Sequence, residues 1–335
     1  MGLPGVAPDL RDELFLVRCA GFEPALARDH RSHSHRGETR KTCLKRGRIT
    51  ATEWLKRCSW VFVTGRVAIE TNGAVIDEAH LGGRQARLVF AYLVAERSRP
   101  VPRDELAEAL WGETPPVTRD KALTVIASKL RAALGDAGLD SRELLTAAFG
   151  CYRLDLPEGT WVDLFAAASG AGDAEDALAA CDLDQARAAA ESAESLTRRP
   201  FLPGEEGTWV EQKRRDLADI RERALSVLAD ACLRSGAARE AAKWADELIA
   251  LSSFREAGYR RLMEAHVVPG NRAEALRVYE QCRQLLAEEL GAYPSPETES
   301  IYRGLLGTPA VRTEPGRAPD AARVDAGRRA RGRTR

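Results

Sequence analysis

The chain has 335 residues and carries 50 lysines and arginines against 50 aspartates and glutamates, so its formal net charge is zero. This length predicts roughly two or three domains, each able to bury its own core. The seven cysteines stand singly, which argues against a disulfide framework and fits a reducing cytoplasm, and no apolar run approaches the roughly 18 residues of a membrane helix.

Charge is distributed unevenly along the chain. The net formal charge is +5 for residues 1–59, −1 for 60–157, −9 for 158–307 and +5 for 308–335. Because contacts to phosphate supply most non-specific affinity for DNA, the near-neutral segment 60–157 argues against strong DNA binding by that segment alone.

Residues 1–59 show no sustained hydrophobic period and contain many charges with few aromatic residues, so we predict that they are disordered. The segment contains residue types that zinc prefers: His30, His33, His35, Cys43 and Cys58. Their spacing is looser than the tight ligand pairs of structural zinc sites, and we therefore predict no metal site.

The next stretch, WVFVTGRVAIETNGAVIDEA from Trp60, predicts a small sheet. It contains a strand, a turn at Asn72-Gly73 and a second strand, because Asn-Gly accommodates the positive backbone angles of a tight hairpin. Apolar residues of these strands are core candidates: Val61, Val63, Val67 and Ile69. Arg66 is predicted to lie on a solvated face.

Two helices are predicted after this sheet. The first has an apolar face from Arg84 to Arg97. The second is short, with Pro102 in its first turn and Gly112 at its end. Trp111 ends the apolar face of this short helix, so we interpret it as a core residue rather than a stacking platform for bases.

A third helix is predicted for Thr118–Leu134, and the rest of this segment is organised around it. At about 100° per residue one side is apolar: Leu123, Ile126, Ala127, Leu130, Ala133 and Leu134. The other side carries Lys121, Val125, Ser128, Lys129 and Ala132, with Thr124 and Arg131 on its flank. Thr118 can cap the start and Gly135 can end the helix in a left-handed turn. The outward face is small and modestly basic, which suits a groove, although an ordinary surface helix has a similar pattern.

The stretch ELLTAAFGCYRLDL alternates around a glycine and predicts two short strands with a turn near Phe149-Gly150. Three helices followed by a β-hairpin is the order of a winged helix. In that fold the third helix lies in the major groove of DNA.

Residues beyond a short boundary at Pro157–Gly159 predict an all-helical array. Two Ala-rich helices, the connection RRPFLPGEEGTW, a long helix at Trp209–Arg234 and a final helix at Ser295–Leu306 follow one another. A shift of 34 residues aligns Leu228, Ala231, Gly236, Glu240 and Ala241 with Leu262, Ala265, Gly270, Glu274 and Ala275. This is the tetratricopeptide period, so we predict stacked helix pairs, with 163–196 as a less regular first pair.

The last segment, 308–335, consists mainly of Pro, Gly, Ala and Arg and predicts a disordered, Arg-rich tail. Its end, GRRARGRTR, could grip a nucleic-acid backbone without reading sequence. A solvated chain end explains the same composition.

No stretch carries the signature of an enzyme. There is no Gly-x-x-x-x-Gly-Lys-Ser/Thr loop for the phosphates of a nucleotide. The five histidines offer no credible partner for a nucleophile, and the many carboxylates are explained by pairing on helix faces. We therefore predict no catalytic residues, no cofactor, no metal and no enzyme activity.

Five motifs carry a resemblance to a known family: RDELAEALWG, ALTVIASKLRAALG, GCYRLDLP, RRPFLPGEEGTWVEQKR and GNRAEALRVYEQCRQLLAEELGAYPSPETESIY. Through them the chain resembles the SARP-type transcriptional activators of actinobacteria. The resemblance implies a mainly α fold: an OmpR-like winged-helix (α+β) domain at 60–157, followed by an all-α, tetratricopeptide-like bacterial transcriptional activator domain at 158–307. The termini, 1–59 and 308–335, fall outside it.

The resemblance also implies a function and a site. It implies a cytoplasmic activator that binds double-stranded DNA cooperatively at direct repeats in the major groove, self-associates there and recruits the RNA polymerase holoenzyme, with no membrane partner. The implied recognition-helix contacts are Thr118, Lys121, Thr124, Val125, Ser128, Lys129 and Arg131. The implied wing contacts are Thr146, Phe149, Gly150 and Tyr152. Relatives commonly have a basic residue in place of Thr124 and an Arg in place of Lys129, so base reading is expected to be looser, or shifted to Lys121, Lys129 and the wing.

Two alternatives stay open. The chain could be a protein–protein adaptor whose winged helix no longer binds DNA, as the neutral charge and the thin basic face suggest. Because the resemblance begins near Trp60, translation could also start later than Met1. Met263 is the other methionine, so a start between the two would use a non-ATG codon.

Overall fold

The computed structural model describes residues 59–71, 74–157 and 159–307. The predictions for 1–58, for the Asn72-Gly73 turn and for 308–335 lie outside the described residues. Within the described part the fold is mainly helical, with a small β-containing region followed by a helical array, as predicted.

The first layer is a small mixed sheet. Its strands are β1 (Trp60–Phe62), β2 (Ala68–Thr71), β3 (Ala74–Ile76) and, from much later in the chain, β7 (Trp161–Val162). They lie in the order β3-β2-β1-β7, and β7 runs parallel to β1. The predicted core residues Val61, Val63, Val67 and Ile69 are all buried. The predicted first strand is in fact two strands, because Gly65 adopts a positive φ of 74° and turns the chain between them.

The winged helix follows in the predicted order. Its elements are α1 (Arg84–Ala95), β4 (Val101–Pro102), α2 (Arg103–Trp111), α3 (Arg119–Asp136), the single turn α4 (Ser141–Leu144), β5 (Leu145–Ala148) and β6 (Cys151–Leu154). Strands β5 and β6 form the hairpin, and β4 adds a third strand beside β6. Trp111 packs against the core with part of its side chain, as predicted.

The array consists of helices packed in sequence order. They are α5 (Asp163–Ala179), α6 (Leu183–Thr197), α7 (Thr208–Arg234), α8 (Ala238–Leu251), α9 (Glu256–Val267), α10 (Arg272–Leu290) and α11 (Pro296–Gly307). The 34-residue repeat is confirmed, since Gly236 and Gly270 make equivalent turns at positive φ. The matching Ala231 and Ala265 are both buried where neighbouring helices approach. The first pair turns instead at Cys181, a non-glycine residue at positive φ, and is accordingly less regular.

The hydrophobic core continues across the predicted boundary near Pro157. Array residues join the same buried cluster as the winged helix: Val162, Leu164, Phe201, Leu202, Val210 and Leu217. The connection between α6 and α7 is therefore a structural part of the first layer. Phe201, in this connection, forms an isolated antiparallel β-bridge with Thr64. At the start of α7, the ring of Trp209 lies 4.5 Å from that of Tyr92, measured between centroids.

Two buried carboxylates, Asp163 and Glu205, connect the array to the small sheet and to α1. The Asp163 side chain is 0% exposed, and its Oδ2 accepts hydrogen bonds of 2.8 Å from the backbone N–H of Val63 and of Thr64 and from the Thr64 hydroxyl. Burial raises the pKa of this carboxyl. Glu205, also buried, forms ion pairs with Arg84 at 2.8 Å and with Arg87, both on α1.

Candidate nucleic-acid interface

Helix α3 separates its residues into a buried and an exposed face. The buried residues are those predicted for the apolar side: Leu123, Ile126, Ala127, Leu130, Ala133 and Leu134. The exposed side chains include Lys121, Thr124, Val125, Ser128 and Lys129. Val125 is 54% exposed although it is apolar, so the outward face offers methyl groups as well as charge.

The two hydroxyls on this face are engaged by the helix itself. Thr124 Oγ1 donates to the carbonyl oxygen of Asp120 at 2.8 Å, and Ser128 Oγ donates to the carbonyl oxygen of Thr124 at 2.8 Å. A hydroxyl that donates in this way retains lone pairs as acceptors. In this arrangement Thr124 and Ser128 present acceptor oxygens and, for Thr124, a methyl group.

The two lysines supply the positive charge of the face. Neither Lys121 nor Lys129 forms an ion pair with any residue of the described ranges, so both ammonium groups are available to phosphates. The stem of Lys129 lies against the loop that precedes α1. A Cβ added at Gly82, whose φ is +89°, would lie 3.1 Å from the Lys129 Cβ. Glycine at this position therefore lets the loop approach α3 closely.

Both predicted ends of the helix need correction. Thr118 precedes the first helical residue, but its side chain makes no capping hydrogen bond. Its ψ of 22° departs from the extended backbone that a capping side chain requires. Gly135 does not end the helix, which continues to Asp136. The left-handed turn is made by Gly138, at a φ of 76°.

Arg131 lies on the flank of α3, as predicted, and part of its guanidinium is engaged within the protein. It is half-buried, and its Nε donates to the carbonyl oxygen of Leu145 at 2.9 Å. Leu145 begins the wing hairpin. Arg131 thus ties α3 to the wing, which accounts for its position on the flank of the helix.

The wing tip is exposed and contains a large aromatic side chain. Phe149 is 104% exposed and adopts a φ of 51°, and Gly150 follows at 76°. The backbone N–H of Arg103 donates to the Gly150 carbonyl at 3.0 Å, which anchors this tip to α2. Thr146 is half-buried on β5. A fully exposed Phe on a monomer is available for contact with another molecule.

Tyr152 corrects the predicted wing contacts. Its side chain is only 3% exposed, because β6 alternates and this position points into the core. The Arg103 guanidinium lies 5.4 Å from the centre of its ring. Tyr152 therefore supports the hairpin from below and is removed from the candidate contacts.

Three exposed residues near the site were not predicted. Val117 is 104% exposed just before α3, and Arg142 and Arg153 are exposed near and on the wing. Arg153 pairs with Asp155 at 2.7 Å. The charge pattern of the hairpin could have indicated Arg153, whereas no sequence signal marks Val117.

Neither a membrane-spanning helix nor a metal site is found in the described ranges. Between residues 59 and 307, apart from the gaps at 72–73 and 158, no helix has the length and apolar character to cross a membrane. The same residues contain no group of three or more His, Cys, Asp or Glu side chains that could hold a metal ion.

Two family models match the chain. The model described as "Transcriptional regulatory protein, C terminal" matches residues 77–154, and the "Bacterial transcriptional activator domain" matches residues 162–306. The first match contains α3 and the wing, and the second contains nearly all of the array.

Named relatives extend over both regions. The chain is 30% identical to the transcriptional regulatory protein MoaR1 of Mycobacterium tuberculosis over 229 residues, which is 68% of this chain and 73% of that protein. It is 35% identical to the regulatory protein AfsR of Streptomyces coelicolor over 225 residues, which is 67% of this chain but 22% of that protein. It thus spans only about a fifth of AfsR.

A solved structure shares the fold. The structure of Mycobacterium tuberculosis EmbR in complex with a low-affinity phosphopeptide matches with a TM-score of 0.68 at 28% identity. The match covers 74% of this chain and 65% of that chain.

Proposed function

Because this chain belongs to the SARP family of transcriptional regulators, we propose that it binds double-stranded DNA with α3 in the major groove and the wing on the adjacent backbone. The observation that carries the proposal is the division of α3. Its apolar side is buried, while Lys121, Thr124, Val125, Ser128 and Lys129 form one exposed face, and the wing tip is exposed as well. Such a face combines phosphate donors with methyl groups that can contact thymine.

The proposed mode of action is activation at directly repeated sites. Two copies bound side by side would contact each other through the array, and the bound pair would recruit the RNA polymerase holoenzyme. Linked contacts raise the effective concentration of the second copy, so cooperative binding offsets the weak affinity expected of a near-neutral winged helix.

One observation favours the adaptor alternative. The outward face of α3 carries only two lysines that lack an ion pair among the described residues, and Arg119, at the start of the helix, pairs with Asp104 at 2.9 Å. A titration of DNA binding against salt distinguishes the two functions. A DNA-binding regulator gives a linear fall of log affinity with log salt, with a slope near −0.9 for each phosphate contacted. A flat or absent dependence would favour the adaptor.

The first variant tests Lys129, one of the two lysines on the exposed face of α3. Lys129→Ala is expected to leave thermal unfolding unchanged, because the residue is exposed, but to weaken DNA binding. If Lys129 contacts phosphate, as its compact ammonium favours, the loss is similar on every sequence and the salt slope falls by about 1. Lys243→Ala on α8 removes the same charge from the array and serves as the control. Unchanged binding of Lys129→Ala would contradict the assignment of this face.

The second variant tests the departure from the family at position 124. Thr124→Arg is expected to tighten DNA binding, because it adds a guanidinium that can contact guanine with two hydrogen bonds, worth about 1–3 kcal/mol at a matching base. The measurement is affinity on a panel of sequences, so that a specific gain is separated from a uniform one. An arginine that gives no gain on any sequence would argue that this face does not reach the bases.

A further inference from the structure

A cavity of about 170 Å³ lies far along the chain from α3, at the junction of the first layer and the array. It is an open hollow between the end of α6 with the following connection and the first half of α7, and Leu251 at the end of α8 also lines it. Its lining includes the arginines Arg198, Arg199, Arg214 and Arg221.

The composition of this lining is unusual for its surroundings. Four of the lining residues are arginines, and none is a carboxylate, although segment 158–307 has a net charge of −9. Of the apolar lining residues, Pro200, Ala218 and Leu251 keep exposed surface, whereas Phe201 and Leu217 are buried in the shared core. The cavity therefore combines several arginines with some accessible apolar surface, as sites for small organic ligands commonly do.

Two glutamates behind the rim hold two of these arginines in position. The Glu194 carboxylate is buried and accepts from Arg198 Nε at 2.8 Å and from Arg221 Nη2 at 3.1 Å. Glu247 reaches the same two guanidinium groups at 3.5 and 3.4 Å. In each arginine Nη1 has no acceptor among the described residues, so a held guanidinium keeps a free donor group.

Arg199 differs from its neighbours because no carboxylate of the described residues pairs with it. It is half-buried, and its Cδ would lie 3.0 Å from a Cβ added at Gly65, so its stem packs against the turn between β1 and β2. Arg214 is also paired, since its Nη1 lies 2.6 Å from the Glu211 carboxylate, and it donates to the backbone carbonyls of Phe201, Leu202 and Glu205.

We propose that this cavity binds a small organic anion, a phosphate or carboxylate carried on an apolar body. Planar guanidinium groups with unused donors match the oxygens of such groups, and the half-buried Arg199, which has no carboxylate partner among the described residues, would gain one in an anionic ligand. The apolar body would cover Pro200, Ala218 and Leu251. The ligand would contact the α6–α7 connection, α7 and α8 at once, in the region where the array meets the first layer.

The test is calorimetric titration of the full chain with phenyl phosphate and with benzoate, using uncharged benzyl alcohol for comparison. At least one anion is expected to bind with saturable 1:1 stoichiometry and to raise the melting temperature, while benzyl alcohol binds far more weakly. Arg199→Gln should weaken that binding by about tenfold or more, the scale of one charge-assisted contact. Arg239→Gln, which removes the same charge from the exposed start of α8, should have no effect.

Several results would overturn the proposal. These are no saturable binding of either anion, equal binding of benzyl alcohol, or equal losses in the two variants. Arg199→Lys keeps the positive charge but lacks the planar guanidinium, so it is expected to bind the anion with intermediate affinity. This result would separate the loss of a contact from a disturbed fold. Circular dichroism of each variant checks that the helical content is unchanged. None of these measurements involves DNA, so their outcome is independent of the proposed function.

Discussion

A fragment of residues 59–157 is expected not to fold cooperatively, although it contains the whole predicted winged helix. It lacks β7 and the array residues that complete its core, above all Leu164, Phe201, Leu202 and Leu217. Removing one large buried side chain typically costs about 2–5 kcal/mol, whereas whole domains are stable by only about 5–15 kcal/mol. Losing several at once therefore exceeds the stability available. Urea unfolding followed by circular dichroism is the measurement.

The matched fragment is 59–234, which keeps α5, α6 and α7. It retains every array residue of the shared core and is expected to show one cooperative transition. A sharp transition of 59–157 at the same midpoint would contradict the shared core. The fragment 59–234 is also the proper partner of 59–307 for comparing DNA affinity. We expect 59–234 to bind with less cooperativity if the later helices join neighbouring copies.

The second large effect is expected at Asp163. Asp163→Ala leaves the backbone N–H groups of Val63 and Thr64 buried without an acceptor, and each such orphan costs about 1–3 kcal/mol. We expect a loss of about 3–5 kcal/mol in the free energy of unfolding, close to the stability limit of many domains. Thermal and urea unfolding provide the measurement.

Two control variants accompany Asp163→Ala. Asp163→Asn keeps one acceptor oxygen and is expected to lose less stability than the alanine variant. Asp176→Ala removes an exposed carboxylate from the same helix and should have little effect. Equal stability of Asp163→Ala and Asp176→Ala would show that the buried hydrogen bonds contribute nothing net.

The order of elements could be predicted because each is marked locally. Gly112 ends α2, the apolar stripe of α3 follows the 3.6-residue period, and Gly236 and Gly270 mark equivalent turns one repeat apart. The exposed face of α3 follows from the same period. These signals lie within a few residues of the structure that they predict.

The features that could not be predicted depend on contacts with residues that are distant in the sequence. Phe201 and Leu202 lie in a Pro/Gly-bearing connection without any period, and they are buried only because β1 and α1 lie beside them in space. Arg131 and Tyr152 were expected at the interface, since a charged flank and an alternating hairpin permit it. Arg131 instead donates to the carbonyl oxygen of Leu145, and Tyr152 is buried in the core below β6.

The ion pairs of Glu205 with Arg84 and Arg87 hold the connection between α6 and α7 against helix α1. This bears on how copies of the protein would be arranged on DNA. A flexible linker between a DNA-binding unit and its partner lets neighbours reach each other over a range of separations. Here the ion pairs of Glu205 and the shared core fix the connection to α1, so two copies that pair through their arrays as proposed would have to approach from compatible faces of the duplex, which turns once in roughly 10–10.5 base pairs. Under the proposed contact between arrays, the helical phase between neighbouring operators would depend on the short connection between α6 and α7, in addition to the helix proposed to contact the bases.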